Sequence, residues 1–317
     1  MASNKSKKTS AKKSNNKSSK PVASKKTKEV KNTTPEVEVI ETVEETVEVT
    51  ETTGNPLKGF FACKHDEKEN ILTIFKSPRI YGAILGELFG TMILTMILLS
   101  LGLYQPLYVM FGMIAITAAI YGISGANLNP VITAGMMATR RISAIRGVLY
   151  MLAQILGAWL AFVVTSAFHS AGGESANALT TVVAGDGDQF WIYTMIEFVG
   201  AIIAAFFFAR AVAYRKNPLV FATIVGAGAC VALLFVIMIS GYAGLQNNFA
   251  LNPAAALTFQ ILPSQGEFGE LIGEVALTLT TYWIFPLIGG IIGFFVSDTM
   301  SRLSGECACC KKCEGKK

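Results

Sequence analysis

The chain has 317 residues, of which 52% are hydrophobic and 15% charged, with a formal net charge of +5. Soluble domains carry about a quarter charged residues, so this balance excludes an ordinary water-soluble globule and points to a protein of the bilayer. With two histidines in all, His65 and His169, neither a His-based triad nor a histidine metal centre can be built in the membrane body, and an enzyme is not expected.

Residues 1–53 read as a disordered, charged tail. The Lys/Ser/Asn block at its start has no apolar stretch behind it, unlike a secretory signal. The Val/Glu alternation of residues 35–53 has strand-like period, but it is a run of like charges with no partner strand. The basic block has the chemistry to touch anionic lipid; solvation is the simpler reading, and no nucleic-acid partner is expected. Residues 54–78 form a linker, 79–298 the membrane domain, and 299–317 a Cys/Lys-rich tail. Four thiols crowd that tail, Cys307, Cys309, Cys310 and Cys313. Their spacing matches no separated pair of C-x-x-C knuckles, so an unliganded tail, an incidental metal site and lipidation all stay open, and neither cofactor nor metal is assigned.

A helix that crosses the hydrocarbon core needs about 20 apolar residues. Six stretches qualify: 79–103, 106–123, 144–168, 189–213, 218–241 and 271–297. Arg140, Arg141 and Arg146 follow the second, Arg210, Arg215 and Lys216 the fourth, and Arg302 the sixth. The other connections carry only acids, Glu174, Asp186, Asp188, Glu267 and Glu270. By the positive-inside rule both termini are cytoplasmic. Two further apolar runs, from Pro130 and from Pro253, are only about 15 Å long as helices and cannot span. One follows the second span and the other the fifth, so they enter from opposite faces.

The halves echo each other. Glu87 and Gly90 in the first span match Glu197 and Gly200 in the fourth. With an odd number of spans per half, the copies lie in opposite orientation. The fold class is therefore all-α: six transmembrane helices plus two re-entrant half-helices in an inverted repeat. Gly82, Gly86 and Gly90, four apart, make a small-residue face for close helix packing.

Each half-span opens on Asn-Pro: Asn129-Pro130-Val131 and Asn252-Pro253-Ala254. Asn is a strong N-cap and Pro suits the first helical position. A simple turn would explain Asn55-Pro56 and Asn217-Pro218, which sit in polar connections. At membrane depth, however, irregular backbone is tolerated only inside protein or beside a wet cavity. Two half-helices meeting end to end would present two amide donors to a narrow lumen, and their positive ends would repel cations.

The stretch SGANLNPVIT, the FALNPA of the second half, and Gln154 and Gly157 in AQILGA resemble the aquaporin and glycerol facilitator (major intrinsic protein) family. The likeness covers about residues 79–297. It implies that Glu87 and Glu197 brace the re-entrant loops and that the protein is a homotetramer with a pore in each subunit. It also implies that Val109, Ser240, Phe249 and Ala255 occupy the selectivity-filter positions. Ala255 stands where the family usually has arginine, Asn127 where it has histidine, and Val131 adds bulk where it has alanine. Phe249 and the Pro286-Leu287 pair resemble the glycerol branch, whereas Ala256 replaces the aspartate usual there. The expected function is passive conduction of small neutral solutes, glycerol-like or urea-like, together with water, in the plasma membrane. A proton-coupled carrier using Glu87 or Glu197 and a closed scaffold are the alternatives.

Overall fold

The computed structural model describes residues 74–101, 105–172, 188–245, 249–259 and 275–304. The charged tail, most of the linker with Asn55-Pro56, the acids Glu174, Asp186, Glu267 and Glu270, and the terminal cysteines lie outside them. The helices are α1 (Pro78–Leu101), α2 (Pro106–Ser124), α3 (Pro130–Ala138), α4 (Ala144–Ala171), α5 (Asp188–Ala211), α6 (Pro218–Tyr242), α7 (Pro253–Phe259) and α8 (Phe285–Leu303). A π-helical turn, Thr280–Ile284, leads into α8 and completes a sixth apolar span, Val275–Leu303. Six helices are thus long and apolar enough to cross a membrane, and α3 and α7 are the two short elements between them.

Proline sets many of the starts: α1, α2, α3, α6 and α7 all begin on one, where its missing N–H costs no hydrogen bond. Asn217 is more than a turn residue. Its side chain accepts the Val220 N–H at 3.3 Å and caps α6, so the same dipeptide starts a full span in a polar connection and a half-span at membrane depth. Its neighbours decide its use, because only the pairs at 129 and 252 meet another half-helix.

Packing follows the repeat. In the first half α1 packs on α2 and α4, and in the second half α5 packs on α6 and α8; the half-helix α3 lies against α8, and α7 against α4. Each half-helix is therefore held by the span that ends the other half of the molecule. The glycine face of α1 turns to α2: Gly86 faces Ile120 and Ile123. Outward, Leu85, Phe89, Leu152 and Trp159 are exposed, as befits helices solvated by lipid.

The bulk of Val131 points away from the meeting point of the half-helices. Val131 is fully buried, and its Cγ1 and carbonyl lie where a Cβ at Gly290 of α8 would sit. The side chain is thus a knob against a glycine. Gly290→Ala should lower the melting temperature and folded yield sharply, since the added carbon meets a backbone carbonyl that cannot rotate away. Val131→Ala should cost only on the order of 1–2 kcal/mol, with solute flux per folded channel unchanged. Detergent-solubilised melting curves and vesicle flux check both; altered flux per channel in Val131→Ala would return that side chain to the lumen.

Candidate functional site

The site is built from two loops that descend to the half-helix starts. In the first, Glu87 of α1 accepts four hydrogen bonds. Its Oε1 takes the Asn127 N–H at 3.0 Å and the Ser124 hydroxyl at 2.6 Å. Its Oε2 takes the Leu128 N–H at 2.7 Å and Gln154 Nε2 at 2.8 Å. In the second loop, Glu197 of α5 takes the Ala250 N–H at 2.5 Å on Oε1 and the Leu251 N–H at 3.1 Å on Oε2. Loop amides that no helix or strand satisfies would be costly in an apolar interior. The two buried carboxylates, Glu87 and Glu197, supply their acceptors.

The residues before the two asparagines share an unusual backbone. Leu128 has φ 56° and Leu251 φ 49°, the left-handed region that costs a branched residue about 1–2 kcal/mol. All parts of each leucine are held. The acid takes the N–H, the opposite asparagine takes the carbonyl, and the side chain lies where a Cβ would sit on Gly90 or on Gly200. That close approach explains a glycine three residues after the acid in both halves.

This conformation crosses the loops. Asn129 Nδ2 donates to Leu251 O at 2.8 Å, and Asn252 Nδ2 donates to Leu128 O at 3.1 Å. Each side-chain oxygen meanwhile caps its own half-helix: Asn129 Oδ1 accepts the Val131 N–H at 2.8 Å, and Asn252 Oδ1 accepts the Ala254 N–H at 3.0 Å and the Ala255 N–H at 3.4 Å. Neither amide NH₂ is therefore given wholly to the lumen. An amide NH₂ has two hydrogens; one of each is committed to the opposite loop, which leaves one per asparagine. Leu128 O also receives the Thr91 hydroxyl at 3.3 Å, which fills its second lone pair. Ala201 occupies the matching place in the other half, so Leu251 O keeps acceptor capacity.

Both asparagines line a cavity of about 70 Å³, room for a few waters. Its polar lining side chains are Asn127, Asn129 and Asn252, and the rest is mostly aliphatic, including Leu94, Leu98, Val109, Met113 and Val225. A hydrogen-bonding strip on a greasy wall suits neutral molecules that carry both oxygen and carbon. Among the described residues no cluster of His, Cys, Asp or Glu is placed to hold a metal.

This arrangement of six spans, two half-helices and crossed asparagines coincides with a match to the Major intrinsic protein family over residues 74–297. The chain belongs to the major intrinsic protein family. As a member it is a multi-pass membrane channel for water, glycerol or both, and it is not an enzyme. The glycerol uptake facilitator protein-like 6 of Lactiplantibacillus plantarum is 29% identical over 68% of this chain and 96% of that protein. The probable aquaporin PIP2-5 of Arabidopsis thaliana is 25% identical over 57% of this chain and 60% of that protein. A solved aquaglyceroporin from Plasmodium falciparum aligns with 70% of this chain and 95% of that chain, at 19% identity and a TM-score of 0.49.

Of the four filter positions inferred from the major intrinsic protein motifs, the structure gathers Val109, Phe249 and Ala255 into one buried cluster with Leu98. Val109 lines the cavity; Phe249, Ala255 and Ser240 do not. The Phe249 ring packs on Tyr193 of α5 with centroids 5.1 Å apart, and the Ser240 hydroxyl donates to Ile237 O of its own helix at 3.1 Å. Pro130, Pro253 and Ala254 are buried at the half-helix starts. Sequence reasoning missed Ser124, Thr91 and the two leucine carbonyls. The recurrence of Leu before both Asn-Pro pairs was a signal for the last of these, but a leucine in an apolar run carries no hint that its backbone is the working part.

Proposed function

We propose that the protein is a passive channel for glycerol and related small neutral solutes, urea among them, and that it also conducts water. The observation that carries this reading is the cavity in which Asn129 and Asn252 face an otherwise mostly aliphatic wall. Each asparagine offers a solute oxygen one N–H, Leu251 O accepts a solute hydroxyl, and the carbon skeleton passes along Leu94, Val109 and Val225. The partial positive charge at the two half-helix starts disfavours cations at the same depth. Val109 lines that cavity, and the motif positions of the family assign Ser240, Phe249 and Ala255 to the same filter, on the side away from the chain's start. Ala255 stands at the position where the family usually has a cation, and the smaller neutral side chain favours a solute larger than water. The name of the Lactiplantibacillus relative agrees with this choice of solute.

The acids fit a bracing role better than a proton relay, because their oxygens are occupied by loop amides. The basic residues Arg140, Arg141, Arg146, Arg210 and Arg302 support cytoplasmic termini; the plasma membrane as location and a homotetramer as assembly complete the proposal. The test is stopped-flow light scattering on proteoliposomes given a glycerol gradient without a pH gradient. Fast shrinkage and fast, non-saturating reswelling are expected. Slow reswelling would restrict the permeant to water, and saturation would point to a carrier. Ala255→Arg should lower glycerol flux more than water flux. Equal loss of both, with normal assembly, would remove Ala255 from the filter.

A further inference from the structure

Among the described residues, the cavity wall contains a single aromatic, Phe208 of α5. It lies toward the face where α1 begins, since α5 ends three residues later at Ala211 and α6 starts nearby at Pro218. The inverted repeat supplies its counterpart. Phe208 comes eleven residues after Glu197, and Leu98, also in the wall, comes eleven residues after Glu87. The two copies thus place a leucine toward one mouth and a phenylalanine toward the other. The same holds one turn nearer the asparagines, where Leu94 and Ala204 correspond. The aromatic ring therefore narrows one end of a lumen whose opposite end carries only an aliphatic chain at that position.

A ring in a wall constrains solutes only if it cannot swing aside, and Phe208 is held on two sides. It meets Phe221 edge-on, with centroids 5.4 Å apart and planes at 85°, and Phe294 with centroids 6.1 Å apart. Each neighbour is anchored in turn. Tyr121 packs on Phe221 at 4.3 Å, and its hydroxyl donates to Arg215 O at 3.1 Å. The Arg141 guanidinium lies over Phe294 at 5.0 Å from the centroid and pairs with Asp298 at 2.6 Å. Phe294 also fills the space that a side chain at Gly135 of α3 would take, so the brace reaches the first half-helix. Phe249, the aromatic of the filter positions, packs instead on Tyr193 and lies off the cavity wall.

We infer that Phe208 is a specificity-determining residue of this channel, a rigid inner constriction that sets the largest polyol admitted. This rests on the glycerol-channel reading above and deepens it. Pore width decides which neutral solutes pass once the hydrogen-bonding groups are equivalent. The ring should accordingly discriminate by chain length and branching, and leave water almost indifferent.

The wild-type chain and the variants Phe208→Leu, which copies the repeat counterpart, and Phe208→Trp are compared in proteoliposomes for water, glycerol and xylitol. Phe208→Leu is expected to raise the xylitol-to-glycerol permeability ratio by about fivefold or more, with water permeability within about twofold. Phe208→Trp is expected to lower glycerol relative to water. A purely structural role would scale every flux together through the number of folded channels, so the ratios are the readout. Unchanged ratios in both variants, beside a wild type that conducts glycerol, would overturn the role of Phe208. A wild type that passes water but no glycerol would instead overturn the underlying solute reading, and the wild-type trace alone distinguishes the two failures.

Discussion

Glu87→Ala is expected to remove channel activity together with most of the folded protein. The substitution strips the acceptor from the Asn127 and Leu128 amides, from Ser124 and from Gln154. A buried donor left without a partner costs about 1–3 kcal/mol, and a whole domain is stable by only about 5–15 kcal/mol. Losing the two backbone amides alone therefore consumes a large share of the margin. The left-handed Leu128 should then relax, which would withdraw its carbonyl from Asn252 and loosen both loops. Glu87→Gln is the informative partner: its one carbonyl oxygen satisfies part of the set, but its NH₂ faces donors, so an intermediate loss is expected. Size-exclusion profiles in detergent, melting curves and vesicle flux would give the order wild type, Gln, Ala. A well-folded Glu87→Ala with normal glycerol flux would remove the acid from the loop brace. A Glu87→Gln variant that folds normally and loses only pH-gradient-dependent uptake would favour a carrier.

Asn252→Asp should leave the second half-helix capped and still damage the channel. Aspartate caps helices as well as asparagine does, so Ala254 and Ala255 keep their acceptor. The loss is on the other atom. Where Asn252 Nδ2 now donates to Leu128 O at 3.1 Å, an oxygen would oppose an oxygen, and the link between the halves would be replaced by repulsion. Leu128 O would keep the Thr91 hydroxyl, so the lost buried hydrogen bond is worth about 0.5–1.5 kcal/mol, and about 1.4 kcal/mol is a factor of ten. With the loop that carries the lumen-facing N–H no longer fixed by this bond, glycerol permeability per folded channel is expected to fall by up to about tenfold. The added negative charge would also cancel the positive end of the half-helices, so cation leak should rise in the same vesicles. Asn129→Asp should behave alike, because its donor to Leu251 O is the mirror of this one. Unchanged glycerol and cation fluxes in both variants would show that the crossed bonds do not shape the lumen.

Much of this site was legible before any fold was known, and for physical reasons. Lipid demands runs of about 20 apolar residues, so the six spans announce themselves by length and hydropathy. An Asn-Pro pair starts a helix through local geometry alone, which is why α3 and α7 begin at Pro130 and Pro253 as the sequence implies. The placement of Glu87 and Glu197 at matching points of the two halves likewise singled them out, because an acid inside an apolar span needs a reason to be there, whereas a bracing role followed only from the family resemblance.

What the sequence by itself determined is therefore the set of helices, their opposed repeat and the residue types at the meeting point. Which atoms face the lumen was decided only by the tertiary structure. A span that is apolar on every side has no periodic signal to say which residue lies on the wall, so Phe208 could not be told from Phe249, nor the outward bulk of Val131 from a plug. The crossed bonds join Asn129 to Leu251 and Asn252 to Leu128. Such pairings come from how the two halves dock, and no spacing along the chain encodes them. The π-helical turn at Thr280–Ile284 shifts the register of the last span in the same silent way. Local chemistry specified the parts; contact between distant halves chose their facing sides.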